Sequence, residues 1–145
     1  MTVHIIKLCV GIETVEHLAE VQRARLEAAK DRGEPPLLRH LTRNMPRRRE
    51  EVLDGGSLYW VIKGVIQVRQ RIVGLEAAER ADGTPACAMV YDPQHVRTEP
   101  CACRAFQGWR YLPPGKAPQD LRTGRKAAAD LPPEMAAELR ELGLL

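Results

Sequence analysis

The residues best suited to hold an anionic, base-bearing ligand are six arginines and two tryptophans. They are Arg39, Arg43, Arg47, Arg69, Arg71 and Arg110, with Trp60 and Trp109. A guanidinium presents a planar fork that matches phosphate. An indole offers a face on which any base can stack. If residues 37–43 form a strand, Arg39 and Arg43 share a face, with His40 and Asn44 close by. Arg47 opens the run Arg47-Arg48-Arg49. On a short helix these three fan around the axis, so at most two serve one ligand. Glu50 and Glu51 follow, and the same run also describes a partly neutralised, solvated loop.

Residues 54–75 (DGGSLYWVIKGVIQVRQRIVGL) place two Val/Ile-rich runs on either side of Lys63-Gly64. This pattern predicts a β-hairpin with strands over 57–63 and 65–75. A two-residue turn pairs Ile62 with Val65, Trp60 with Gln67 and Leu58 with Arg69. Tyr59, Val61, Ile66, Val68 and Ile72 then line the core, and Trp60, Gln67, Arg69 and Arg71 share the other, cationic face. A glycine bulge at the turn shifts the register by one and sends Trp60 to the core side.

Other constellations carry less chemistry. Cys87, His95, Cys101 and Cys103 lie in one span, but their spacing fits no common structural zinc pattern, so they read as reduced packing residues and no metal is expected. The hexapeptide Phe106-Gln107-Gly108-Trp109-Arg110-Tyr111 holds three of the six aromatic residues, enough for a stacking platform or a pocket wall. The chain has no phosphate-binding glycine loop, no Gly-x-Gly-x-x-Gly and no nucleophile elbow. No catalytic residue and no cofactor follow from it. His95, Glu99 and Tyr111 could handle protons if folding brought them together.

The elements that must position these residues follow from periodicity. Residues 3–10 read as a strand. Thr14 is an N-cap for a helix over 15–30, which Gly33 and Pro35-Pro36 end. Residues 37–42 read as a strand, 46–53 as a short helix, 85–91 and 96–104 as further strands, and 133–142 as a terminal helix. With 145 residues, 44% hydrophobic and a net charge of +3, one domain of ordinary size is expected. The expectation is an α+β fold with a small, curved, mostly antiparallel sheet or barrel, an N-terminal helix and a short C-terminal helix. Residues 1–112 form the domain, and 113–145 form an extended arm and helix packed on it. No apolar run is long enough to cross a membrane. The N-terminus turns polar too quickly for a signal peptide, so the chain is expected in the cytoplasm with its thiols reduced.

The blocks HIIKLCVGIETVEHL, LDGGSLYWVIKGVIQVRQRI, VRTEP and FQGWRYL resemble an uncharacterised bacterial family, a domain of unknown function of about this length. That family transfers no catalytic residue. The element order (helix, Arg-bearing strand, Asp-Gly-Gly, hydrophobic strand, Gly-punctuated return strand) is similar to the PUA-like superfamily, with its ASCH and EVE members. That resemblance implies a curved β-barrel that binds RNA or modified bases.

The functional expectation is a nucleic-acid or nucleotide-binding module, with RNA favoured. It uses an Arg-rich cleft with aromatic stacking. The alternatives are a small enzyme acting on an anionic substrate and a protein–protein adaptor. In the adaptor, the apolar end LRELGLL docks on a partner or forms a homodimer.

Overall fold

The computed structural model describes residues 2–121. The expected helix over 133–142 and the arm beyond residue 121 lie outside the described residues. The chain runs β1 (His4–Leu8), α1 (Val15–Asp31), β2 (Leu38–Thr42), α2 (Arg49–Leu53), β3 (Ser57–Ile62), β4 (Val65–Glu79), β5 (Pro85–Tyr91), β6 (Val96–Ala102) and β7 (Trp109–Leu112). The sheet order is β2-β5-β4-β3-β1-β7, with β6 also paired to β4. The β1–β3 pair is parallel and the other pairs are antiparallel. The α+β class therefore stands. The sheet is mixed and open, with β2 and β7 at its ends, rather than a closed barrel.

Local chemistry sets the first elements. The Thr14 hydroxyl accepts from the His17 N–H at 2.9 Å, satisfying one otherwise orphaned donor of α1. Gly33 ends the helix region with φ at 73°, a conformation that favours glycine. Val15, Leu18, Gln22 and Ala29 form the buried stripe of α1. Val15 and Leu18 of that stripe share one core cluster with Ile5, Leu58, Trp60, Val68 and Ile72 on one face of the sheet. Burying a large apolar side chain there stabilises the fold by roughly 1.5–3 kcal/mol. A second, smaller cluster of Ile6, Tyr59, Val61, Ile66 and Leu112 fills the opposite face, with Phe106 and Ala117 beside it. Every residue of β3 is therefore buried, where the sequence suggested one wet face.

The hairpin turn is the expected two-residue one. Lys63 and Gly64 have φ of 49° and 78°, and Ile62 pairs with Val65. The bulge lies further along. Val61 pairs with Ile66 but Trp60 pairs with Val68, so Gln67 is the extra residue. It reverses the alternation, and Ile66 and Val68 end on opposite faces. Trp60 goes into the core beside Val68, and the expected Trp60–Gln67 and Leu58–Arg69 pairs do not form. Gln67 is buried instead and donates from Nε2 to the Ile62 carbonyl at 3.2 Å. A second irregularity at Val73 again shifts the register between β4 and β5.

Residues 114–116 make one short 3-10 turn, and the following segment runs beside β6. The Glu99 N–H donates to the Gln119 carbonyl, and the Leu121 N–H donates to the Arg97 carbonyl. This part of the expected arm is packed on the domain.

Gly56 sits where α2, β1 and β3 meet. A Cβ there would lie 2.3 Å from the Val52 carbonyl oxygen and 2.5 Å from that of Val3. These are backbone atoms that cannot swing aside. Gly56→Ala is therefore expected to cost more than about 2 kcal/mol by forcing the backbone apart. Urea unfolding checks this, and a change below about 0.5 kcal/mol would contradict the packing described.

Candidate functional site

Two adjoining depressions share Lys7 and His40 as a common wall. The outer one encloses about 570 Å³ between His40, Arg43, Asn44, Arg80, Gln107 and Trp109. The inner one encloses about 270 Å³ over Cys9, Ile12, Leu18, Val21, Arg25, Trp60 and Tyr91. Strands β2 and β7, the two ends of the sheet, both contribute to the outer depression. The openness of the sheet creates the cleft.

Sheet register places the aromatic groups. Lys7 pairs with Trp60 on one side and with Trp109 on the other, so all three share a face. His40 meets Trp60 edge-to-face with centroids 6.2 Å apart, and Trp60 meets Tyr91 at 6.0 Å. Trp109 is half-buried and stacks edge-to-face on Tyr111 at 5.0 Å.

Beneath the inner depression lies a buried amide network. Gln22 Nε2 donates to Gln70 Oε1 at 2.8 Å, and Gln70 Nε2 donates back to Gln22 Oε1 at 2.9 Å. Gln70 Oε1 also accepts from Trp60 Nε1 at 2.8 Å, and Gln70 Nε2 also donates to the Asp92 carbonyl at 3.0 Å. His95 Nε2 lies 2.7 Å from Gln22 Oε1. An amide oxygen only accepts, so His95 is the donor.

The charge balance of the cleft is one-sided. Lys7, Arg25, Arg43 and Arg80 line the two depressions, and among the described residues no aspartate or glutamate does. Six carboxylates elsewhere sit in ion pairs. Among the described residues they pair with Arg32, Arg39, Arg48, Lys63, Arg69 and Arg97; none forms an ion pair with a cleft cation, and Asp82 lies within electrostatic reach of one, Arg80. Burial first, then the charges of Lys7 and Arg25, push the His40 imidazole down to about 4, so it is neutral at pH 7. Burial pushes the Cys9 thiol up to about 11. It is protonated at pH 7 and is no nucleophile.

The structure divides the residues expected from sequence. Arg43 and Trp109 line the cleft, as do His40 and Asn44 beside them. Trp60 forms its floor but is buried, with its N–H committed to Gln70. The rest lie elsewhere. Arg39 pairs with Glu76. Arg47 is exposed and lines neither depression. Arg69 is on the opposite face, where it holds Asp120 at 2.8 Å and the Ser57 hydroxyl at 2.9 Å. Arg71 is exposed at the position paired with Ser57. Arg110 covers the Phe106 ring at 4.8 Å. Trp60, Arg69 and Arg71 therefore do not share a cationic face. The bulge at Gln67 separates Trp60 from Arg69.

Three cleft cations carried no sequence signal: Lys7 inside an apolar strand, Arg25 inside an amphipathic helix and Arg80 in a hairpin end. The Gln22–Gln70 pair was equally silent.

The remaining constellations do not assemble. His95 is bound to Gln22, while the Tyr111 hydroxyl accepts from the Arg48 N–H at 3.0 Å. Glu99 is buried on β6. Cys87 lies in the main core, its Sγ 3.6 Å from Met45 Sδ, while Cys101 and Cys103 pack on the opposite face.

A family model described as a protein of unknown function, DUF1489, matches residues 5–145. The chain belongs to the DUF1489 family. No curated protein and no solved structure matches it. No helix among the described residues is long and apolar enough to cross a membrane.

The His40 environment has a consequence for stability. An unfolded chain protonates this imidazole near pH 6.5, whereas the folded chain resists until about pH 4. Between those values the unfolded state binds more protons, so stability falls as pH falls. Burial of His4 and His95 acts in the same direction. Urea midpoints at pH 7 and pH 5 are expected to drop toward acid in the wild type. His40→Gln is expected to show a smaller drop, and an equal drop in the two proteins would contradict the assignment.

Proposed function

We propose that this DUF1489 domain is a single-stranded RNA-binding module. The observation that carries the proposal is a cleft walled by Trp109 and lined, among the described residues, by four cations and no carboxylate. Cations that line one opening repel one another, and an anion relieves that repulsion. Lys7, Arg25, Arg43 and Arg80 take phosphates. Trp109 stacks on a base. The amides of Asn44 and Gln107 in the same wall suit ribose hydroxyls, the groups that distinguish RNA from DNA. The likeness of element order to PUA-like folds adds an analogy, which ranks below the site itself. Four free cysteines fit a reducing, cytoplasmic setting.

Fluorescence anisotropy with labelled single-stranded RNA, across a salt series, tests the reading. Affinity is expected to fall with salt by about 0.7 in log–log slope for each phosphate held. Arg43→Ala and Arg80→Ala each reduce the slope by roughly that amount. Trp109→Ala weakens binding by about 1–3 kcal/mol with the slope unchanged. Absence of binding at low salt, or binding untouched by all three variants, would contradict the proposal.

A further inference from the structure

We infer that the inner depression is a base-reading pocket, which takes one unpaired nucleobase of the strand held in the outer cleft. This inference rests on the RNA-binding reading and sharpens it, since it adds sequence preference at one nucleotide. Four observations on the cavity converge.

The first is connection. Lys7 and His40 belong to both depressions. A phosphate held by Lys7 places the attached nucleoside at the mouth of the inner one. The second is shape and lining. About 270 Å³ accommodates one planar base and not a folded segment of protein. Ile12, Leu18 and Val21 supply apolar walls, and Trp60 and Tyr91 supply aromatic surface. Such lining suits a flat, weakly polar ring system.

The third is a set of polar groups able to address a base edge. His40 is half-buried, and neither ring nitrogen makes a hydrogen bond among the described residues. A neutral imidazole offers one donor and one acceptor. The Tyr91 hydroxyl, raised to about 12 by burial, keeps its proton and is already engaged by Gln22 and Arg25, so it holds the pocket wall and leaves the base edge to His40. A polar group left unpaired on the wrong base weakens binding of that base.

The fourth is rigidity. Trp60 is 5% exposed and its N–H is fixed by Gln70. The floor is thus set before any ligand enters. Gln70 acts as a positioning residue through Trp60. With Lys7 and Arg25 in the lining and no carboxylate among the described residues there, a cationic occupant is disfavoured.

The test uses the full chain and short labelled homopolymeric RNAs of A, C and U. The pocket is filled by Val21→Phe and, separately, by Ile12→Phe. Neither change alters a cleft cation. Thermal unfolding first shows which variant is folded. The wild type is expected to separate its best and worst homopolymer by about tenfold, the effect of one satisfied against one orphaned hydrogen bond. A folded filled variant is expected to narrow that spread to about twofold and to keep the wild-type salt slope.

Wild-type affinities within twofold of one another, with the salt slope present, overturn the base pocket and leave the RNA-binding reading standing. A folded filled variant that still discriminates does the same. If the wild type binds none of the homopolymers at low salt, both fall. If neither filled variant folds, His40→Ala decides by the same narrowing or its absence.

Discussion

The reciprocal amide pair between Gln22 and Gln70 is the interaction on which the rest depends. It joins α1 to β4 in the middle of the core, where an unpaired amide costs roughly 1–3 kcal/mol by mutational measures. Gln70 is fully buried, and each of its hydrogen-bonding positions is used: two acceptances at Oε1, two donations from Nε2. Such a network contributes most when complete and is costly when broken, so it specifies one arrangement of helix on sheet. The alternative, an apolar pair at these positions, would leave the Trp60 N–H and the Asp92 carbonyl without these partners.

From that pair the site follows by geometry. Gln22 fixes the rotation of α1, which sets Val21, Leu18 and Arg25 along one wall. Gln70 fixes Trp60 as the floor. The register of β1 against β3 and β7 brings Lys7 and Trp109 over the same face. The two end strands of the open sheet then contribute His40, Arg43 and Trp109 around a shared opening. Stability alone gives no reason to gather four cations around one opening that has no carboxylate among the described residues. A local feature that works against folding while the surroundings hold it in place is what a binding site looks like in physical terms.

The sequence made much of this architecture legible, for reasons visible in particular residues. Thr14, Gly33 and Lys63-Gly64 act through their own backbone or side chains, so helix and hairpin ends could be read locally. The face of each hairpin side chain could not. A β-bulge adds one residue without changing composition, and Gln67 in an otherwise regular alternation gives no warning that Ile66 and Val68 part company. That single residue moved Trp60 from a stacking face into the core and left Arg69 on the far side with Asp120. The run 39–49 is dense in arginine, yet most of it meets carboxylates or solvent. The cleft draws instead on Lys7, Arg25, Arg43 and Arg80, which come from distant parts of the chain and converge only through sheet order.

The proposal that RNA binds across the shared opening is tested most directly by photo-crosslinking. A thiouridine-substituted single-stranded RNA, irradiated with the full chain and mapped by peptide mass spectrometry, is predicted to attach to peptides containing Trp109, His40 to Asn44, or Lys7. Crosslinks confined to the opposite face around Tyr59, Arg69 and Asp120, or spread evenly over the surface, would contradict the account.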